Sequence, residues 1–203
     1  MALAPQFIGH RIGSAAAKHS LEVYLDYTVC PAPHSKPQLN IALQDVIPYL
    51  NNEHPDEVQL IFRQQVQPWH PSSTLVHEAA LAVERVDNTK FWEFSDVLFE
   101  RQTEYYDEAV YTKSRNEIYG KLADLATSIK VPGDKVLSYL TIRSGEAKNS
   151  GNQVTNDLKL QIKIGRQNGI HVSPTVLFDG LRDDSVSSSW ELDQWKEYFK
   201  NKL

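Results

Sequence analysis

The order of secondary-structure signals constrains this chain more than any single motif. In residues 21–27, Leu21, Val23 and Leu25 alternate with Glu22, Tyr24 and Asp26, the pattern of a half-buried strand. A proline-rich turn at 30–37 follows. Leu39, Ile41, Leu43, Val46, Ile47 and Leu50 then recur with largely helical spacing up to Asn51 and Asn52. Residues 58–66 read as a second strand. Strand, helix, strand implies a parallel pair joined by a crossover helix. Across residues 72–150 no strand-like run appears, so a helical subdomain is expected between two halves of a sheet.

Four helices are predicted in that stretch. Ser72 or Ser73 is a candidate N-cap for the first, which carries Leu75, Val76, Ala79, Ala80 and Val83. Phe91, Trp92, Phe94, Val97, Leu98 and Phe99 mark the second. The third starts at a capping box, Ser114 with Glu117, and carries Ile118, Leu122 and Leu125. The fourth follows Pro132 and Gly133 with Val136, Leu137 and Leu140. Residues 157–165 fit either period. Leu158, Leu160, Ile162 and Ile164 alternate as in a strand, while Val154, Leu158 and Ile162 form a helical row before the stop at Asn168 and Gly169. Beyond them come a short strand at 175–179, a turn at Gly180, an edge strand at 182–188, and an amphipathic helix from about Ser189. That helix bears Trp190, Leu192, Trp195 and Phe199.

Composition removes several functions. Against 26 acidic residues the chain has 21 Lys and Arg, a net charge of −5, which disfavours nucleic-acid binding. Hydrophobic residues make up 41%, enough for a core and too many for disorder. The one cysteine, Cys30, excludes an intrachain disulfide, a two-cysteine redox couple and a cysteine-rich zinc site. His70 and His77 lack metal-ligand spacing with a carboxylate, so no metal is expected. The N-terminal residues lack a secretory pattern, and no apolar run reaches membrane-spanning length. A soluble, intracellular, cytoplasmic protein is the expectation, monomeric or homodimeric. Asn201-Lys202-Leu203 differs by one residue from a peroxisomal tripeptide, which leaves that address as the alternative.

Two places could carry chemistry. Cys30-Pro31 stands after the first strand and before the first helix, where a helix N-terminus favours thiolate. The plain alternative is an inert packed cysteine. The second is Ser173-Pro174, opening the strand at 175–179. Asp26 ends the first strand, where a carboxylate is usually solvated, and is assigned no role. Trp69 is expected to pack over the sheet edge beside a turn-forming His70-Pro71. Phe91, Trp92, Phe94 and Phe99, with Tyr105, Tyr106 and Tyr111, are expected to be core rather than pocket.

Taken together these signals resemble the DsbA-like branch of the thioredoxin-fold oxidoreductases over roughly residues 20–200. The resemblance rests on Asp26-Tyr27 before Cys30-Pro31, Phe62-Arg63 with Pro68 to Pro71, the segment Lys90 to Phe94 with Asp96, Leu98 and Phe99, and Gly169 to Gly180 around Ser173-Pro174. It implies an α/β thioredoxin-like fold with an inserted all-helical subdomain: 1–71 and 151–203 as the thioredoxin-like domain, 72–150 as the insertion. It implies a cis bond at Ser173–Pro174 and a helix at 154–168.

The sequence departs from the family at the dithiol motif. If Cys30 takes the first cysteine's place, the second becomes Pro33. In an alternative register Ala32 to Ser35 lies on the motif and both cysteines are gone. The first is preferred because Cys30-Pro31 closely follows Asp26-Tyr27. Either way the resolving thiol is absent, so internal attack on a mixed disulfide is excluded. What remains is a monothiol or glutathione-dependent enzyme at the Cys30/Pro174 cleft, similar to kappa-class glutathione transferases and hydroxychromene isomerases, with glutathione as cosubstrate or a small thiol or peptide as substrate. The resemblance then gives Cys30, His34 and Ser35 catalytic parts and Pro31, Pro33, Trp69, Ser173 and Pro174 binding parts. The alternative is a redox-inactive binding or scaffold protein.

Overall fold

The computed structural model describes residues 3–29, 38–143, 145 and 148–203. Its strands are β1 (Arg11–Ile12), β2 (His19–Leu25), β3 (Val58–Gln64), β4 (Thr175–Phe178) and β5 (Leu181–Arg182), in the sheet order β1-β3-β2-β4-β5. β2 and β3 run parallel, from His19 opposite Val58 to Leu25 opposite Gln64, and α1 (Gln38–Glu53) lies between them in sequence. β4 pairs antiparallel with β2, setting Thr175 against Tyr24. After β3 come α2 (Pro71–Val86), α3 (Phe91–Glu100), α4 (Asp107–Val110), α5 (Arg115–Ser128), α6 (Gly133–Leu140) and α7 (Thr155–Gln167) before the chain returns to β4. α8 (Leu192–Lys202) closes it. This is the mixed α/β fold with inserted helices that the sequence implied.

Residues 157–165 are helical. Their deeply buried positions, with Val154, are Asp157, Leu158, Gln161 and Gly165, a 3.6-residue stripe. Gly165 lets α7 close on β2, since a methyl there would lie 2.9 Å from Gln65 Oε1 and 3.9 Å from the Tyr24 ring. Asn168 Nδ2 donates to Tyr24 Oη at 2.9 Å. That helix also explains why β2 is not half-buried as its alternation suggested. Leu21, Val23 and Leu25 enter the main core, while Glu22 and Tyr24 lie under α7 and are equally buried. Glu22 tolerates this because Arg63 Nε donates to its Oε2 at 2.6 Å, as buried charges require a partner.

Two local expectations are corrected, and one short strand was not foreseen. α2 starts at Pro71 with His70 at the N-cap. Ser72 and Ser73 fall inside the first turn and bond outward, to Tyr105 O and Asp26 Oδ2. The last strand stops at Arg182 instead of reaching 188, because Asp183 turns the chain by accepting Ser185 N–H and Oγ–H. β1, a two-residue strand antiparallel to β3, was too short to leave a periodic signal.

Aromatic packing joins sheet to insertion. Phe62 on β3 stacks on Tyr27 at 5.5 Å and meets Phe91 and Trp92 of α3 edge-on at 5.4 and 5.8 Å. Phe91, Phe94, Phe99 and Tyr105 are core as expected, but Tyr111 is 83% exposed.

The N-terminal segment is tied to α2 through Glu84, whose Oε1 accepts Gly9 N–H at 2.9 Å. Burial pushes the Glu84 carboxyl up to about 7, against the opposing pull of that bond and of Arg85. A carboxyl whose folded pKa is raised binds its proton more tightly in the fold than in the unfolded chain. Stability therefore falls as pH rises between about 4.5 and 7. Glu84→Gln keeps an acceptor for Gly9 and removes the charge. It should raise the urea midpoint at pH 8 and leave it nearly unchanged at pH 5; equal effects at both would show that the charge is not the cause.

Candidate functional site

The C-terminal end of β2 is where distant segments meet. Asp26 follows the strand and is 4% exposed, not solvated as expected. Its Oδ1 accepts Thr28 N–H at 2.6 Å and Thr28 Oγ–H at 2.8 Å. Its Oδ2 accepts Gln67 N–H and Ser73 Oγ–H, both at 2.6 Å. The carboxylate thus binds its own strand exit, the β3–α2 loop and the first turn of α2. Burial pushes its pKa up. The His77 imidazole, the Ser73 hydroxyl and the Thr28 N–H together outweigh that and hold it at about 2. His77 Nε2 is 3.8 Å from Oδ2, beyond hydrogen-bond reach, so it acts through its charge when protonated.

The main chain of Asp26 carries the other half of the site. Its N–H donates to Ser173 Oγ at 2.8 Å. Ser173 precedes Pro174 through a cis peptide bond, and Thr175 Oγ1 donates to Val172 O at 2.8 Å. Side chains therefore fix the loop, and among the described residues the N–H and C=O of Ser173 are left without a backbone partner. Val172 beside it is 51% exposed.

Trp69 was expected to pack, yet it is 62% exposed. The β3–α2 loop that carries it is bonded through Gln67 to Asp26, which puts an open indole on the loop tied to Ser173. His70 follows, its Nδ1 3.0 Å from Asp107 Oδ2 on α4. Of the residues singled out in sequence, Ser173, Pro174 and Trp69 belong to these tied segments. Cys30, Pro31, Pro33, His34 and Ser35 lie outside the described residues. Sequence reasoning missed Asp26, Ser73, His77 and the His70–Asp107 pair. Asp26 sits one alternation beyond buried Glu22 and Tyr24, a faint sign that it too pointed inward. Among the described residues no group of three histidines, cysteines or carboxylates is placed to hold a metal.

No family model matches the sequence, and no curated protein is significantly similar to it. Solved structures do match. A provisionally assigned protein-disulfide isomerase from Pseudomonas syringae aligns over 95% of this chain and 98% of its own, with 22% identity and a TM-score of 0.72. BdbD from Bacillus subtilis aligns over 95% and 91%, at 18% identity and 0.64. MdbA, a thiol-disulfide oxidoreductase from Actinomyces oris, aligns over 94% and 84%, at 18% and 0.65. At these identities the likeness establishes the fold.

Replacing Asp26 by Asn turns one acceptor oxygen into a donor facing groups that are themselves donors. A stability loss of roughly 2–4 kcal/mol is expected at pH 7, read as a lower urea midpoint. The wild-type carboxylate has a depressed folded pKa, so its contribution is complete above about 3.8 and is lost as pH falls towards 2. The gap between the two proteins should close in that window; a gap that persists at pH 2 would assign the effect to shape instead of charge.

Proposed function

On this DsbA-like thioredoxin fold, we propose that the chain is a thiol-disulfide oxidoreductase-like protein that works with one thiol and takes glutathione or a short extended peptide at the Ser173–Pro174 loop. The main chain of Ser173, without a backbone partner among the described residues, braced by Asp26 and flanked by exposed Val172, carries this reading. An extended ligand pairs with such an edge as an added strand. Trp69 supplies apolar surface on the neighbouring loop, and large exposed aromatics are common anchors for ligands.

The lone cysteine decides the chemistry. With Cys30 as nucleophile, its thiolate attacks a disulfide R–S–S–R′, forming Cys30–S–S–R and releasing R′–S⁻. No second cysteine exists in the chain to displace R, so an external thiol such as glutathione must attack the mixed disulfide and regenerate Cys30. In the transferase-like form of the same proposal, the reactive thiol is the bound glutathione's. Cys30, His34 and Ser35 are proposed to serve the thiolate, and Pro31 and Pro33 to shape its surroundings.

The test is the alkylation rate of Cys30 against pH, with and without glutathione. A midpoint at least about one unit below the free value of about 8.5 supports monothiol exchange. Protection by glutathione supports the ligand-thiol form. A midpoint near 8.5 with no glutathione effect removes both and leaves a redox-inactive binding protein. Trp69→Ala provides a separate check. Because the ring is exposed, the melting temperature should stay within a degree or so, while glutathione or peptide affinity falls roughly 5- to 10-fold. Unchanged affinity would remove Trp69 from the binding surface.

A further inference from the structure

Of the exposed carboxylate–imidazole pairs among the described residues, His70–Asp107 is the one whose histidine stands on the loop that is bonded to Asp26 and carries Trp69. The two side chains are 28% and 54% exposed, and pairs this open contribute little to folding. With Nδ1 held by Asp107 Oδ2 at 3.0 Å, the neutral ring keeps its proton on Nδ1 and presents Nε2 as an acceptor. Three hydrogen bonds in series tie this residue to the open edge. His70 N–H donates to Gln67 O at 3.1 Å, Gln67 N–H to Asp26 Oδ2 at 2.6 Å, and Asp26 N–H to Ser173 Oγ at 2.8 Å. The exposed Trp69 ring stands 6.4 Å from the imidazole, centroid to centroid.

We infer that His70 Nε2 accepts the proton of a thiol ligand seated on the Ser173 edge, with Asp107 as the positioning carboxylate. The inference rests on the ligand-thiol form of the function proposed above. In the step, the S–H bond of the ligand breaks, its electron pair stays on sulfur, and an N–H bond forms at Nε2. The imidazolium is balanced by Asp107, and its proton passes afterwards to solvent or to a leaving group. Of the neighbouring charges, Glu108 follows Asp107 on α4, Asp26 is closed by its four bonds, and His77 lies seven residues further along α2. Arg101 and Glu104 pair with each other ahead of α4.

The probe is reduced glutathione, added to the full chain carrying Cys30→Ser so that the ligand supplies the one thiol observed. Calorimetry measures binding and ultraviolet thiolate absorbance measures ionisation against pH. Bound glutathione should ionise about one unit or more below the free thiol's value of about 8.5. His70→Gln and Asp107→Asn should each move that midpoint up by about half a unit or more, with affinity held within roughly threefold. Equal midpoints in all three proteins, with glutathione bound, would overturn the inference and leave the binding proposal standing. Loss of binding in His70→Gln alone would make His70 a contact residue, not a base. Binding by the wild type but not by Cys30→Ser would also overturn it, in favour of exchange at Cys30. If glutathione binds neither protein, the proposed glutathione site and the inference fall together.

Discussion

The carboxylate of Asp26 is the interaction on which the site depends. Four donors converge on its two oxygens: two from Thr28, one from Gln67 and one from Ser73. Its own N–H reaches Ser173. One residue therefore sets the exit of β2, the start of α2 and the loop before β4. Its partners Gln67 on the β3–α2 loop, Ser73 and Ser173 lie 41, 47 and 147 residues away along the chain. Fixing an ionised group in the interior costs solvation, and the four donors return it. Without them the ends of β2 and β3 would still pair, but the β3–α2 loop and the first turn of α2 would lose their shared anchor beside the strand exit.

The architecture was legible because it is written in long patterns. The parallel β2–β3 pair and helices α2, α3, α5, α6 and α8 each follow from sustained apolar periodicity, whereas α4, a single turn of four residues, was not foreseen. The elements that went unseen, misplaced or undecided by periodicity are short or doubly readable. β1 has two residues. Residues 157–165 alternate perfectly, yet fold as a helix because the sheet offers a face for α7 and Gly165 permits the approach. The helix start at Pro71 went to His70 because Ser72 and Ser73 have better uses for their hydroxyls, on Tyr105 and Asp26. In each case a tertiary partner overrode a local preference.

The candidate site was only half legible for the same reason. Ser173-Pro174 and Trp69 announce themselves through the composition of their neighbours. Asp26 does not, since a carboxylate at a strand end is ordinarily solvated and its partners are scattered over the chain. The His70–Asp107 pair is hidden likewise. The two residues are 37 apart, and only the placement of α4 against the start of α2 brings them together. Trp69 was misjudged in the opposite sense: its size suggested burial, and the structure exposes it.

The interior beneath this site is polar in a way that packing alone would not favour. Glu22 and Arg63 are fully buried as a pair under α7, and Arg63 Nη1 and Nη2 have no hydrogen-bond partner among the described residues. His77, also fully buried, lacks one at both ring nitrogens. Buried donors left unpaired are costly, and an apolar pair would fill the same volume at less expense. Both features adjoin β2, the strand that carries Asp26 out to the loop. Other polar groups are buried elsewhere, among them Gln64 and Gln161, whose amides have no partner among the described residues, but at Glu22–Arg63 and His77 the unpartnered nitrogens belong to ionisable side chains beside the strand that leads to Asp26.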